Sequence, residues 1–133
     1  MKTSVGLANA GAVAARAGVH PSELKSISDD SEIWEIEAYY LAQLCAQLTL
    51  FVSPHVIVLG GGVLKRKQLF PLVRAKTQEI LAGYVSTKQV TDGINTYIVP
   101  SRFNQEGSGT TSGAVGALHL ALEALQSKLA AAL

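Results

Sequence analysis

The run His55–Leu64, HVIVLGGGVL, constrains this chain more than any other stretch. β-Branched residues favour extended backbone, and three successive glycines, Gly60, Gly61 and Gly62, end the run abruptly. Without Cβ atoms, the main chain there can come within contact distance of a bound group. A helix that follows offers its free N–H groups at the same end, which suits a nucleotide or another phosphate-bearing ligand. The same triplet also serves as a plain strand-to-helix turn.

Helical and extended patterns alternate around that run. Gly6–Gly18 is rich in small residues and reads as a helix that Gly18 stops. His20-Pro21-Ser22-Glu23 opens a short helix, with proline suited to its first turn. Asp29 and Asp30 stand in a polar break as capping candidates. From Ser31 to Val52 the apolar residues Trp34, Leu41, Leu44, Cys45, Leu48 and Val52 keep helical spacing, and Pro54 closes the segment. A strand over Val56–Leu59 leads into the glycines. A third helix spans Gln68–Gly83, delayed or bent at Pro71, and a second strand spans Thr96–Val99 before Pro100. Ser101–Thr110 is a polar loop. The last helix runs from Thr111 to Ala131, with Ala114, Ala117, Leu118, Ala121, Leu122 and Leu125 on one side.

The order is helix–strand–helix–strand–helix, an α/β pattern in which a helical crossover makes the two strands parallel. Parallel sheets are covered on both faces, and two strands alone do not make a stable one. Further strands are therefore expected from a partner or from a longer polypeptide.

With 133 residues the chain fits one domain, and 48% hydrophobic content supplies a core. Eleven basic against ten acidic residues leave no stripe for nucleic acid and no cationic face for a membrane. The single Cys45 excludes an internal disulfide and a multi-cysteine metal site. No apolar leader follows Met1 and no run reaches membrane-span length, so a cytoplasmic protein is expected.

Familiar motifs are mostly ruled out. GGGVLKRKQ lacks the Lys-Ser/Thr pair of a P-loop, and Lys65 stands where a dinucleotide fingerprint needs its third glycine. No nucleophile–His arrangement has supporting context. His20, His55 and His119 are isolated, with structural roles expected. Asp29, Asp30, Glu32, Glu35 and Glu37 cluster near a helix start, where capping and solvation account for them. Lys65, Arg66 and Lys67 either add positive field near phosphates or form a solvated cluster.

Taken in order, GLANAGAVAARAG, DDSEIWEIEAYYLAQLCAQLTLFVSPHVIVLGGGVLKRKQLFPLVR, YIVPSR and TTSGAVGALHLALEAL resemble the C-terminal half of a ROK-family sugar kinase, in the subgroup of bacterial-type fructokinases. The resemblance implies that residues 1–133 form a single partial domain. It would be the C-terminal nucleotide-binding lobe of an actin/hexokinase-like, ribonuclease-H-like kinase, with the lobe's first three strands missing. It assigns Gly60, Gly61, Gly62, Val63 and Leu64 to the adenosine-binding turn. Asn9, Ala10 and Gly11 then start a helix on the other side of the nucleotide, in place of the usual Ser-Gly-Pro. Ser112-Gly113 match a hinge turn of structural role.

The resemblance also places several parts upstream of Met1. These are the sugar-activating aspartate, the phosphate-binding glycine turn, the Glu-x-Gly-His motif and the Cys/His zinc cluster. No catalytic and no metal-ligating residue is then expected in this chain. ATP with Mg²⁺ and a hexose would be the partners of the full-length enzyme, transferring phosphate to the 6-hydroxyl of fructose. The chain alone is expected to be inactive, and to form a homodimer or associate through its exposed sheet edge. A non-catalytic interaction module, the sugar-sensing half of a ROK repressor, and a glucokinase or mannokinase remain alternatives.

Overall fold

The computed structural model describes residues 4–104 and 112–131. In chain order come α1 (Ser4–Leu7), α2 (Ala10–Ala17), a 3-10 turn (Pro21–Ser26) and α3 (Glu32–Phe51). β1 (Ile57–Leu59), a 3-10 turn (Val63–Lys65) and α4 (Leu69–Leu81) follow, then α5 (Lys88–Thr91), α6 (Ile94–Tyr97) and β2 (Ile98–Pro100). A 3-10 turn (Arg102–Asn104) and α7 (Ser112–Ala131) complete the set.

The core lies chiefly between α3 and α4. Trp34, Ala38, Leu41 and Cys45 of α3 and Leu69, Phe70, Val73 and Leu81 of α4 are all buried. Each large side chain so placed contributes about 1.5–3 kcal/mol of burial free energy. Two buried threonines stay satisfied by bonding back into their own helices. Thr49 donates to the Cys45 carbonyl at 2.8 Å and Thr77 to the Val73 carbonyl at 2.7 Å. The Lys76 ammonium reaches Glu35 at 2.7 Å and ties the two helices at the surface.

β1 and β2 pair in parallel, with Ile57 opposite Ile98 and Leu59 opposite Pro100. Ile57, Leu59 and Ile98 turn inward to the helices, whereas Val58 is 59% exposed on the other face. The parallel pairing expected from the helical crossover is thus present. The mostly helical α/β order also holds, with α5 and α6 added to it.

Several boundaries differ from expectation, each for a local reason. The helix expected over Gly6–Gly18 is broken at Ala8-Asn9, because the Asn9 side chain caps a fresh start at Ala10. Gly18 ends α2 with φ 67°, as expected of a left-handed stop. The cap of α3 is Ser31, not Asp29 or Asp30; the Asp29 carboxylate is taken by Arg66 and by Gln68 Nε2 at 2.6 Å. Pro71 neither delays nor bends α4, since it is the third residue of a helix that starts at Leu69, where an N–H has no partner inside the helix. The helix stops at Leu81, and Ala82 takes the left-handed turn with φ 47°.

β1 begins at Ile57, one residue after the expected Val56. β2 covers Ile98–Pro100 instead of Thr96–Val99, because Thr96 and Tyr97 are drawn into α6, where Thr96 Oγ1 donates to the Gly93 carbonyl at 2.9 Å. Val52 follows the α3 face in sequence spacing but emerges 64% exposed where that helix ends. On α7 the expected apolar side is present in sequence, yet Leu118, Leu122 and Leu125 are all exposed. Of the polar loop expected over Ser101–Thr110, residues 105–110 lie outside the described residues, as does the expected helix start Thr111.

Candidate functional site

Parallel strands that end together open a crevice at their carboxyl ends, the usual ligand position in open α/β sheets. β1 and β2 end level, at Leu59 and Pro100, and the Ser101 N–H extends the ladder to the Leu59 carbonyl at 2.8 Å. Gly60, Gly61 and Gly62 leave the sheet at that point. A Cβ on Gly60 would come within 3.2 Å of Ser101 Cβ, so this glycine is needed to let the two strand ends lie together. Gly61 has φ +111°, which L side chains rarely adopt. Gly62 is in right-handed helical geometry, φ −63° and ψ −39°, and opens the turn Val63–Lys65. Among the described residues, a Cβ built on Gly61 or Gly62 meets no heavy atom within 4 Å. The turn therefore carries no side chain at the strand ends.

Val63 is half-buried, and Leu64 is buried in the core, where it seats the turn. Arg66, just beyond, fixes its far end. Its Nη2 donates to the Leu24 and Ile27 carbonyls at 2.9 Å each and to the Lys25 carbonyl at 3.3 Å. Its guanidinium carbon lies 4.1 Å from the Trp34 ring centre, and Nη1 pairs with Asp29. The guanidinium is committed to the 21–27 segment and takes no part in a phosphate-facing cluster. Lys65 and Lys67 are exposed.

The second set of expected residues, Asn9, Ala10 and Gly11, forms the start of α2. Asn9 Oδ1 accepts from the Ala12 N–H at 2.9 Å, while its Nδ2 donates to the Gly6 carbonyl at 3.0 Å. A Cβ on Gly11 would come within 3.2 Å of Asn9 Oδ1, so Gly11 leaves room for the cap. Asn9 and Gly11 thus shape a helix start that is capped from within. The two sets lie on different elements: the glycine turn beside Ser101, and α2 against α3 and the 21–26 turn.

Glu37 departs from expectation. It is not a solvated carboxylate at a helix start, because α3 turns it inward until it is 0% exposed. Its Oε2 pairs with Arg16 Nη1 at 3.2 Å. Burial pushes its carboxyl above the usual range, and Arg16 only partly opposes this. Nothing in the sequence marked this pair, since Arg16 and Glu37 belong to separate helices and share no motif spacing.

The remaining candidates are structural. His20 caps the 21–26 turn, its Nδ1 2.8 Å from Ser22 Oγ, with Glu23 accepting from its N–H at 3.0 Å. His55 is exposed, and His119 lies 3.3 Å from Glu123 one helical turn away. Cys45 is wholly buried, and burial pushes its thiol up to about 11. At pH 8 only about 0.1% is then thiolate. The folded chain should resist a disulfide reagent such as DTNB for hours and react with it promptly in guanidinium. Rapid labelling of the native chain would show that the α3–α4 core opens.

Among the described residues, no group of three or more His, Cys, Asp or Glu is placed to hold a metal ion. Among them, too, no helix is long and apolar enough to cross a membrane.

Comparison with known proteins supplies the family. A putative fructokinase of Bacillus subtilis is 39% identical over 94% of this chain, and a fructokinase of Pediococcus pentosaceus is 40% identical over 91% of it. A fructokinase of Zymomonas mobilis is 34% identical over 90% of the chain. The chain spans about two fifths of the length of these relatives, 39%, 38% and 36% respectively. Residues 13–124, which run from the buried face of α2 through the glycine turn into α7, match the ROK family, and the chain belongs to that family.

Proposed function

We propose that this chain is the nucleotide-binding C-terminal part of an ATP-dependent fructokinase, a single partial domain of an actin/hexokinase-like kinase. The observation that carries the reading is the side-chain-free turn Gly60–Gly62 at the carboxyl ends of two parallel strands, in a relative of fructokinases. Adenosine would lie against Gly60–Leu64, with Asn9–Gly11 on its other side. The 6-hydroxyl of fructose would attack the γ-phosphate of ATP. Glucose or mannose would be the substrate if sugar selection, which rests on other residues, differs.

Phosphoryl transfer needs a positioned base and charge neutralisation by Mg²⁺. In this reading the base and the metal ligands belong to the upstream part of the enzyme, and no catalytic step is assigned to the residues of this chain. The protein would act in the cytoplasm, on small molecules, with neither nucleic acid nor membrane as partner.

The test is a fusion of the upstream part of the Bacillus subtilis relative to this chain, assayed for ADP release with fructose, glucose and mannose. The fusion should turn over fructose, and the 133-residue chain alone should show no turnover. Activity in the chain alone would place the catalytic base among these residues. A folded fusion inactive on every sugar would end the kinase reading.

The second reading, a non-catalytic module that pairs through its exposed sheet edge, is favoured by one observation. Val56, Val58, Phe51 and Val52 form an exposed apolar run at the end of α3 and along β1. Size-exclusion chromatography separates the two readings. A dimer indifferent to ADP supports the module, and an ADP-dependent change supports the kinase.

A further inference from the structure

Burying a carboxylate is costly, and a single arginine partner does not always repay it. Glu37 is 0% exposed, yet only its Oε2 is bonded; its Oε1 is buried with no hydrogen-bond partner among the described residues. Replacing such a buried pair as a whole by apolar groups is often neutral or stabilising, so stability alone does not account for an ion pair at this place.

What the carboxylate does is aim Arg16. The Arg16 side chain is 23% exposed and, without a counter-charge, its guanidinium would turn to water. Held by Glu37, it lies 5.2 Å from the Tyr40 ring centre and directs Nη2 at the Leu7 carbonyl. Leu7 is the last residue of α1, and Asn9, two residues on, caps α2. Arg16 thus ties α2 back to the last residue of α1. Val13 and Ala14 seat α2 itself in the core, and the Val13 N–H donates to the Asn9 carbonyl at 3.0 Å.

We infer that Arg16 and Glu37 are a positioning pair that sets the main chain of residues 7–11 for the nucleotide. The inference rests on the proposed role of Asn9–Gly11 at the nucleotide. Neither residue touches the ligand. Glu37 acts through Arg16, and Arg16 acts through the Leu7 carbonyl.

The experiment compares the 133-residue chain with its Glu37→Gln and Arg16→Lys variants. Three quantities are read: thermal melting, amide hydrogen exchange by residue, and affinity for the fluorescent nucleotide mant-ADP. Glu37→Gln keeps the side chain's shape and should still melt cooperatively. Exchange at the Ala12 and Val13 amides, which bond Asn9 Oδ1 and the Asn9 carbonyl, should quicken about tenfold while α4 stays protected. Affinity for mant-ADP should fall roughly fivefold as the competent arrangement loses population. Arg16→Lys keeps the charge but loses the fork that reaches Glu37 and Leu7 together, so it should reproduce both changes.

Unchanged exchange and unchanged affinity in a folded Glu37→Gln protein would overturn the inference. So would loss of cooperative melting in both variants, which would make the pair a plain element of stability. Faster exchange at Ala12 and Val13, with no mant-ADP bound even by the parent, would support the tie between α1 and α2 and fail the nucleotide reading instead.

Discussion

Gly62→Val, placed in the fusion with the upstream part of the Bacillus subtilis relative, should raise the KM for ATP by roughly ten- to a hundredfold. The melting temperature should stay within about 2 °C of the parent. The separation follows from the geometry. Gly62 has φ −63° and ψ −39°, which any residue adopts, and a Cβ there meets nothing within 4 Å. A side chain at this position costs the fold nothing and obstructs only what comes to rest on the turn. Gly61→Val is the contrasting variant. Its φ of +111° makes any Cβ strained, at about 1–3 kcal/mol, so it should lose both stability and nucleotide affinity. If Gly62→Val left the KM for ATP unchanged, the bare turn would not be the adenosine site.

Arg66→Ala should be strongly destabilising although Arg66 lies outside the apolar core. Its guanidinium serves three carbonyls of the 24–27 segment, stacks on Trp34 and pairs with Asp29. Removing charged donors from part-buried carbonyls costs about 1.5–3 kcal/mol, and the lost stacking adds about 0.5–1 kcal/mol. The melting temperature of the chain should fall by roughly 10 °C. Arg66→Lys should recover little, because an ammonium cannot reach the carbonyls as a fork and stack on the ring together. Calorimetry of the two variants checks this. A fall of only about 2 °C in Arg66→Ala would mean that water replaces those bonds at no cost.

The main elements were legible because they follow local rules. Helical spacing from Trp34 to Leu48 marked α3, and the β-branched run before Gly60 marked β1. The parallel pairing followed from the helix between the strands. What could not be read were the places where one particular side-chain contact decides. Asn9 splits the first helix by capping Ala10, a choice made only when its side chain turns toward Ala12. Thr96 and Tyr97 have strand propensity, but Tyr97 is buried with its hydroxyl 3.0 Å from Thr49 of α3, and that contact holds the residue in α6.

The candidate site divides the same way. The glycine turn was visible as composition, although the reason differs at each position: contact with Ser101 at Gly60, positive φ at Gly61, open space at Gly62. Leu64 belongs to the core beneath the turn. Arg66 and Glu37 are charged residues that sequence alone assigns to the surface. The structure gives each a partner from an element 21 or more residues away: Arg16 for Glu37, and the 24–29 segment for Arg66.

Most of the order in this chain comes from two helices gripping each other, and the pair of short strands rides on them. A lateral neighbour would therefore find β1 and β2 already paired and ending level. Such a neighbour would add by edge pairing onto a finished template and would not have to collapse together with it into a common interior. The receiving edge would then not depend on the arriving strand for its shape.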